Sequence, residues 1–297
     1  MSVHMRLKST IYLVFFAILM AMGHILQKMV LDFGVDRFVF SFVRIASGFG
    51  IISFLILYKK HRPWQVLKTN TRHFIVLGVF FSGFGILIKL WGLGFTTATN
   101  ASFIMSLSSF SAAFFAFILL KEKAPSRFYW VVVFMIAGVY LVTTKGQHIL
   151  PQKGDLIIFI LVFLIGFMQV YGKRVLTNLS VLETAFGRSF YGMVFLGLLI
   201  PFFAPDGFST IPNLKVLLIV LANGVTFSGS IIFFYKALQL EGASNSGVFA
   251  LLVPVITAVL GRFLLGETLN VYQVLGGVII ISGSFFITRI RIKQANF

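Results

Sequence analysis

The sequence predicts an all-α membrane protein, with ten transmembrane helices arranged as two inverted five-helix repeats. Hydrophobic residues make up 58% of the 297 residues and charged residues only 11%, which is unlike any ordinary soluble domain. Ten apolar stretches reach or approach the ~20 residues that a bilayer core requires. In addition, residues 95–143 align without a gap on residues 240–288, with 11 identical pairs.

The ten apolar stretches follow one another with mostly short connections, none of which can hold a soluble catalytic domain. The first stretch is too long for a signal peptide and lacks a small-residue cleavage site, so we expect it to remain as the first helix. In chain order, the helices are predicted at residues 9–31, 36–57, 73–94, 97–120, 128–145, 154–173, 181–203, 213–236, 244–265 and 271–288.

The alignment divides the chain into a first repeat at residues 1–145, a joint at 146–153 and a second repeat at 154–297. The identical pairs Asn100–Asn245 and Glu122–Glu267 weigh most, because polar residues are scarce in this chain. Since each half has five helices, an odd number, the second half must enter the membrane from the opposite side. Inverted repeats of this kind are typical of transporters with a site between their halves.

The net charge of +17 reflects membrane topology rather than binding to nucleic acid. With the N-terminus in the cytoplasm, 16 of the 25 Lys and Arg residues lie on the cytoplasmic side and four on the outside. This asymmetry places both termini in the cytoplasm, and the excess basicity suits contact with lipid headgroups. No basic patch is interleaved with exposed aromatic residues, so no nucleic-acid partner is expected.

The chain offers no set of residues for catalysis or metal binding. It has no cysteine, which excludes disulfides and thiolate metal sites. A Gly-rich phosphate loop, a His–Glu pair with metal spacing and a Ser-His-Asp group are also missing from the sequence. We therefore expect no enzymatic activity, no cofactor and no metal.

Charged residues within the predicted helices are all basic. The eight acidic residues fall at helix ends or in loops, whereas five cations fall within helices: Lys28, Arg44, Lys89, Arg188 and Arg262. A charge near the bilayer centre costs about 2.5–3.5 kcal/mol on insertion scales, so it should face a cavity or a partner. Without a buried acid to pair these cations, the sequence predicts an electropositive cavity and an anionic or zwitterionic substrate.

Arg44 and Arg188 are the leading candidates for contact with a substrate. Position 44 aligns with position 189 in the repeat, so the two arginines are one residue from equivalence. The alternative is a structural role, in which they bond helix carbonyls. For Lys28 and Arg262, which lie near helix ends, snorkelling to lipid headgroups is the simpler interpretation.

His24 aligns with Gln169, and opposed polar residues at equal depth in the first helix of each half suit a site on the two-fold axis. A histidine can take up a proton near neutral pH, so His24 is also the candidate for proton coupling. A satisfied hydrogen bond between helices is the alternative for His24. The further candidate substrate-binding residues are Gln27, Lys89, Trp91, Asn100, Tyr171, Tyr235 and Asn245.

Two of these pairs have an ordinary structural alternative. Lys89 and Trp91 fit the lining of an outer vestibule, but a tryptophan at that depth is also a common interfacial anchor. Asn100 and Asn245 each follow a Thr or Ser at the start of a span, and we expect them at or near helix N-caps.

Several motifs carry a family resemblance over nearly the whole chain. In the first copy they are Ala98-Thr99-Asn100-Ala101 and Leu119-Leu120-Lys121-Glu122, and in the second Ala243-Ser244-Asn245-Ser246, Pro254-Val255-Ile256 and Leu264-Leu265-Gly266-Glu267. With ten spans in two halves, they resemble the drug/metabolite transporter superfamily, and its EamA-type permeases in particular. The resemblance implies the ten-helix inverted-repeat fold and secondary transport of small metabolites, often export.

The predicted function is therefore secondary active transport, with export as the expected direction, of a small organic anion or zwitterion such as an amino acid. We expect alternating access in the bacterial cytoplasmic membrane, with membrane lipids and protons as further partners. The alternative is a non-transporting membrane scaffold or a lipid-handling protein. A scaffold should lack a central polar site, whereas lipid handling needs a cavity open sideways to the bilayer.

Overall fold

The computed structural model describes residues 3–58, 67–68, 70–120, 126–146, 151–175, 179–241 and 250–295, and within these ranges it contains helices and no β-strand. In chain order the helices are Val3–Asp32 (α1), Arg37–Tyr58 (α2), Thr71–Gly94 (α3), the two segments Ala98–Met105 and Ser108–Leu120 (α4), Ser126–Thr144 (α5), Lys153–Val175 (α6), Val181–Phe203 (α7), Leu214–Glu241 (α8), Leu252–Leu264 (α9) and Val271–Ala295 (α10).

These helices confirm the predicted membrane fold. Among the described residues, eight helices are long and apolar enough to cross a bilayer, and Leu252–Leu264 and Val271–Ile287 are two further, shorter apolar helices. Large apolar side chains also cover the outside of the bundle, where Phe202 and Phe263 are each 80% exposed. A soluble protein would not leave so many aromatic and aliphatic side chains in water, whereas lipid accommodates them.

Helix packing fits the inverted repeat, because the main contacts between the two halves come in matching pairs. Helix α1 packs on α8, and its counterpart α6 packs on α3. In the same way α2 packs on α8 and α7 on α3, while α1 packs on α9 and α6 on α4. The pairs α2–α7, α4–α9 and α5–α10 meet across the pseudo-two-fold axis. With five helices in each half, this axis lies in the plane of the membrane.

Helix α4 has a break near its middle, in a region that the repeat aligns with the start of α9. Helix α4 is interrupted at Ser106 and Leu107, and α9 begins at Leu252, which the repeat aligns with Leu107. In the first half the break releases the Ser106 carbonyl oxygen, which accepts a hydrogen bond from Ser284 Oγ of α10 at 2.9 Å. A donor from a neighbouring helix thus replaces the lost helical hydrogen bond, which lets the helix break inside the membrane.

Helix α3 contains a π-helical segment, Val76–Phe84, that packs tightly on α7. A β-carbon on Gly78 would lie 2.8 Å from the Gly192 nitrogen and 2.9 Å from the Arg188 carbonyl oxygen. This close approach brings the side chains of the π-helical segment against the turn of α7 that carries Arg188. Extra residues in a helical turn commonly mark functional sites.

Helices α2 and α8 approach closely where α2 carries Arg44. A β-carbon on Gly224 of α8 would overlap the Ser47 hydroxyl and the Arg44 carbonyl oxygen. On the opposite side, a β-carbon on Gly48 of α2 would overlap Ser228 Oγ. Small residues at such crossings let helix backbones meet in lipid, so this contact fixes the position of Arg44 relative to α8.

The Gly224→Ala variant is expected to unfold more easily, by about 1–3 kcal/mol, because the added methyl group overpacks the contact between α2 and α8. Thermal unfolding in detergent, followed by tryptophan fluorescence, measures the change. Gly50→Ala is the matched control, since Gly50 lies in α2 with nothing within 4 Å of its ideal β-carbon. That variant should melt at or slightly above the wild-type temperature because alanine favours helix. Equal melting temperatures for the two variants would contradict the tight crossing.

Candidate functional site

Asn223 of α8 is the centre of a buried hydrogen-bond network, and it is not among the residues predicted from the sequence. Its side chain is fully buried. The Oδ1 atom accepts from Arg44 Nε at 2.8 Å and from Gln27 Nε2 at 3.5 Å, while Nδ2 donates to the Gly23 carbonyl oxygen at 2.7 Å. Asn223 therefore joins α1, α2 and α8. The available signal was an amide deep inside an apolar span, next to a glycine.

Arg44 and Arg188 converge on one aromatic ring. The Arg44 guanidinium carbon lies 4.1 Å from the centroid of Phe227, one helical turn after Asn223 in α8. The Arg188 guanidinium carbon lies 5.9 Å from the same centroid and 5.0 Å from that of Phe81 in the π-helical segment. Aromatic faces attract cations most strongly where water is excluded. Two arginines, one from each half of the repeat, thus face a shared surface.

Lys89 and His24 extend this positive region, and with Arg44 and Arg188 they form what we call the cationic cluster. Lys89 is 8% exposed and His24 is 5% exposed. Neither ring nitrogen of His24 has a hydrogen-bond partner, and neither Arg44 nor Lys89 forms a salt bridge with a described residue. Arg44 lies close enough to the other three groups to interact with them electrostatically. Uncompensated buried charge is costly, so this arrangement suits an anion.

The cationic cluster lies deep in the bundle. Arg44 lies seven residues after the start of α2, and Asn223 lies nine residues after the start of α8. His24 lies eight residues before the end of α1. At ~1.5 Å per residue, these three α-carbons are about 10–14 Å from the same end of the bundle. Arg188 approaches from the opposite end, seven residues into α7. Their meeting point is therefore near the middle of the membrane, where inverted-repeat transporters bind their substrates.

A separate polar group closes one end of the bundle, where Glu267 caps α4. The Glu267 carboxylate accepts hydrogen bonds from the Ala98 nitrogen at 2.7 Å and the Thr99 nitrogen at 3.0 Å. Thr97 is the N-cap, and its hydroxyl accepts from the Asn100 nitrogen at 3.1 Å. A carboxylate is favoured there by the unpaired N–H groups and by the helix dipole. Glu267 thus ties the second half of the repeat to the first.

Asp155 and Gln273 strengthen the same closure. Gln273 Nε2 of α10 donates to Asn100 Oδ1 at 2.7 Å, and the Thr96 hydroxyl donates to Asp155 Oδ1 in the first turn of α6. We call residues 96–100 together with Asp155, Glu267 and Gln273 the end junction. All three of these partners come from the second repeat, whereas residues 96–100 belong to the first.

The expectation that no acid is buried is wrong, because Asp155 is only 1% exposed. The start of α6 lies beneath the connection between α3 and α4, and a β-carbon on Gly154 would lie 2.7 Å from the Phe95 carbonyl oxygen. A carboxylate at a helix start therefore enters the interior here. It does not neutralise the cationic cluster, since Lys145 is the cation that acts on it.

Of the residues predicted for substrate binding, the structure brings together Arg44, Arg188, His24, Gln27 and Lys89. Trp91 is 42% exposed and packs edge-on against Phe38, with ring centroids 6.1 Å apart. Asn100 lies in the end junction as the third residue of α4 rather than as its N-cap.

The remaining predicted residues lie elsewhere. Gln169 is exposed although its counterpart His24 is buried, and the Tyr171 hydroxyl lies 2.8 Å from His73 Nδ1. The side chain of Tyr235 and the whole of Asn245 fall outside the described residues.

Comparison with known proteins agrees with this architecture. Residues 7–144 and 152–289 each match the EamA-like transporter family. Similar proteins include the uncharacterized transporter YyaM of Bacillus subtilis (strain 168), 28% identical over 81% of this chain and 80% of the relative. An uncharacterized transporter of Archaeoglobus fulgidus is 27% identical over 86% of this chain and 88% of its own. One crystal structure superimposes with a TM-score of 0.61 at 15% identity, covering 92% and 98% of the two chains, and so shows the same fold.

Proposed function

Because the chain belongs to the EamA-like transporter family and is an integral membrane transporter, we propose that it carries a small organic anion or zwitterion by alternating access. The observation that supports this proposal is the convergence of Arg44 and Arg188 on the ring of Phe227. The two arginines come from opposite halves of the repeat. A substrate held between them remains bound while one half rocks against the other.

Arg44 is well placed to bind a carboxylate. Among the described residues only its Nε atom has a hydrogen-bond partner, Asn223 Oδ1, and this contact orients the guanidinium plane. Both terminal nitrogens therefore remain for the parallel pair of hydrogen bonds that arginine makes with a carboxylate. The ring of Phe227 supports the guanidinium from one face.

Alternating access requires that the site open to one side at a time. Three members of the cationic cluster, His24, Arg44 and Lys89, are buried in this conformation, and Arg188 is half-buried. The excess of Lys and Arg on the cytoplasmic side assigns the end junction to the outer surface. Opening toward the outside then requires release of α4 from Glu267, Asp155 and Gln273. Export across the bacterial cytoplasmic membrane, with both termini in the cytoplasm, is the direction and location that we propose.

Proton coupling through His24 stays a prediction within this proposal. Both of its ring nitrogens are buried without a partner, beside Lys89 and Arg44. A substrate carboxylate arriving between these cations would also be a hydrogen-bond acceptor for the imidazole. Loading of the substrate and protonation of His24 would then favour each other.

The Arg44→Gln, Arg188→Gln double variant is expected to lose transport. Purified protein would be screened for thermal stabilisation by carboxylates, phosphorylated metabolites and amino acids, and a stabilising compound would be used for uptake into proteoliposomes. Loss of charge-assisted bonds worth about 1.5–3 kcal/mol each should lower uptake at least tenfold and abolish the stabilisation.

Arg262→Gln is the matched control for this experiment, because Arg262 is an exposed arginine in the last turn of α9. It should leave uptake and ligand-induced stabilisation at wild-type levels. Uptake that survives in the double variant would contradict the proposed site and would favour a role for the arginines in structure alone.

A further inference from the structure

We infer that the cationic cluster selects a substrate with two negative charges, a dicarboxylate or a phosphate monoester, over a monocarboxylate or an amino acid. This inference rests on the proposed function and specifies the substrate of the same site. It narrows the expectation from the sequence, which leaves an anion and a zwitterion equally open.

Two positive charges of the cationic cluster have no counterion among the described residues. Arg44 and Lys89 are both buried, and neither forms a salt bridge with a described residue. They interact electrostatically with each other, and Arg188 acts on Arg44 in addition. Of the two charges on Arg44 and Lys89, a bound monoanion would leave one uncompensated in a medium of low polarity. A dianion compensates both.

A zwitterionic substrate would need a carboxylate of the protein beside its ammonium group. Asp155 is the buried carboxylate among the described residues, and it is bonded to Thr96 in the end junction. An ammonium group in the cationic cluster would instead lie beside Arg44 and Lys89. Both cations would repel the ammonium group, so binding of an amino acid is disfavoured.

The neutral polar groups of the site do not change this balance. Gln27 Oε1 and the two ring nitrogens of His24 are buried without hydrogen-bond partners. They can bond a hydroxyl or a carboxyl group of a substrate and thereby fix its orientation. A neutral amide cannot supply the counter-charge that Arg44 and Lys89 lack.

The two cations also come from different directions and differ in chemistry. Arg44 of α2 presents a planar guanidinium above Phe227, which suits one carboxylate or phosphate group. Lys89 belongs to α3, five residues before its end, and presents a compact point charge. One acidic group of the substrate is therefore assigned to Arg44 and Arg188, and the second to Lys89.

Matched probes test the selection. Dissociation constants would be measured by thermal shift for succinate, for its half-amide succinamate, and for the zwitterion 4-aminobutyrate, which have similar lengths. Glycerol 3-phosphate against glycerate, a monocarboxylate with the same three-carbon chain, forms the phosphate arm, and the arm that binds identifies which kind of dianion fits. The dianion of one arm is expected to bind at least tenfold more tightly than its matched compounds. In Lys89→Gln this preference should fall to about twofold or less, while binding of the half-amide persists.

The outcomes separate this inference from the proposed function. If succinamate or 4-aminobutyrate binds as tightly as the dianions, and Arg44→Gln abolishes that binding, the inferred selection of a dianion is wrong and the proposed binding site is supported. If no probe binds, or if Arg44→Gln leaves binding unchanged, both the selection of a dianion and the proposed anion-binding site are wrong. Should Lys89→Gln fail to fold, the order of affinities in the wild-type protein decides by itself.

Discussion

The Asn223→Leu variant is expected to lose transport and to be less stable by about 2–4 kcal/mol. Leucine removes the acceptor of Arg44 Nε and the donor to the Gly23 carbonyl oxygen, at the point where α1, α2 and α8 meet. An unsatisfied buried polar group costs about 1–3 kcal/mol, and hydrogen bonds between membrane helices contribute about 0.6–1.7 kcal/mol. Thermal unfolding in detergent and uptake into proteoliposomes measure the two effects.

The Asn223→Asp variant separates the structural role from the functional one. A carboxylate still accepts from Arg44 Nε and from Gln27 Nε2, so most of the network is retained and the protein should fold. The same carboxylate supplies a counter-charge to Arg44 and thereby competes with an anionic substrate. We expect the affinity for the substrate, measured from its thermal stabilisation of the protein, to fall at least tenfold in this variant. If Asn223→Leu has the melting temperature and the uptake of the wild-type protein, the hydrogen bonds of Asn223 contribute neither to stability nor to transport.

The Glu267→Gln variant is expected to open the end junction at least tenfold more often. Glutamine keeps the shape of the side chain but removes the negative charge of the carboxylate that accepts hydrogen bonds from the Ala98 and Thr99 nitrogens. Charge-assisted bonds contribute about 1.5–3 kcal/mol, and each 1.4 kcal/mol changes an equilibrium tenfold. A shift of this size moves a minor open state into the measurable range.

The chain has no cysteine, so a single Ser102→Cys substitution reports this opening through its rate of reaction with a maleimide. Ser102 is 2% exposed and lies 3.3 Å, oxygen to oxygen, from Thr257 between α4 and α9. Glu183→Gln is the control, because Glu183 caps α7 through Ser180 within one half of the repeat. It should leave the reaction rate unchanged. Equal rates with and without Glu267→Gln would show that this carboxylate does not hold the end closed.

Much of the fold could be predicted from the sequence because it follows from local properties. Hydrophobic length gives the ten helices, and an odd number of helices in each half makes the repeat inverted. The family resemblance, which rests on short motifs at Asn100, Glu122, Asn245 and Glu267, is confirmed by the match of both halves to the EamA-like transporter family.

The candidate site could be predicted in part. Arg44, Lys89, Arg188 and His24 attract attention because a charge or an imidazole inside an apolar span is costly. Asn223 is neutral, and its cost becomes visible only when its three partners are known. Asp155 occupies the first turn of a helix, where acids are usually exposed, and only the packing of α6 beneath the α3–α4 connection shows that it is buried.

The sequence by itself determined the number of helices, the inverted repeat and the excess of cations over acids inside the membrane. These features depend on composition and periodicity, which each segment carries alone. Only the tertiary structure decided that Arg44 and Arg188 share the ring of Phe227 and that Glu267 caps α4. The residues that make these contacts are far apart in the chain, and which of them meet depends on how closely the glycine-lined helices pack.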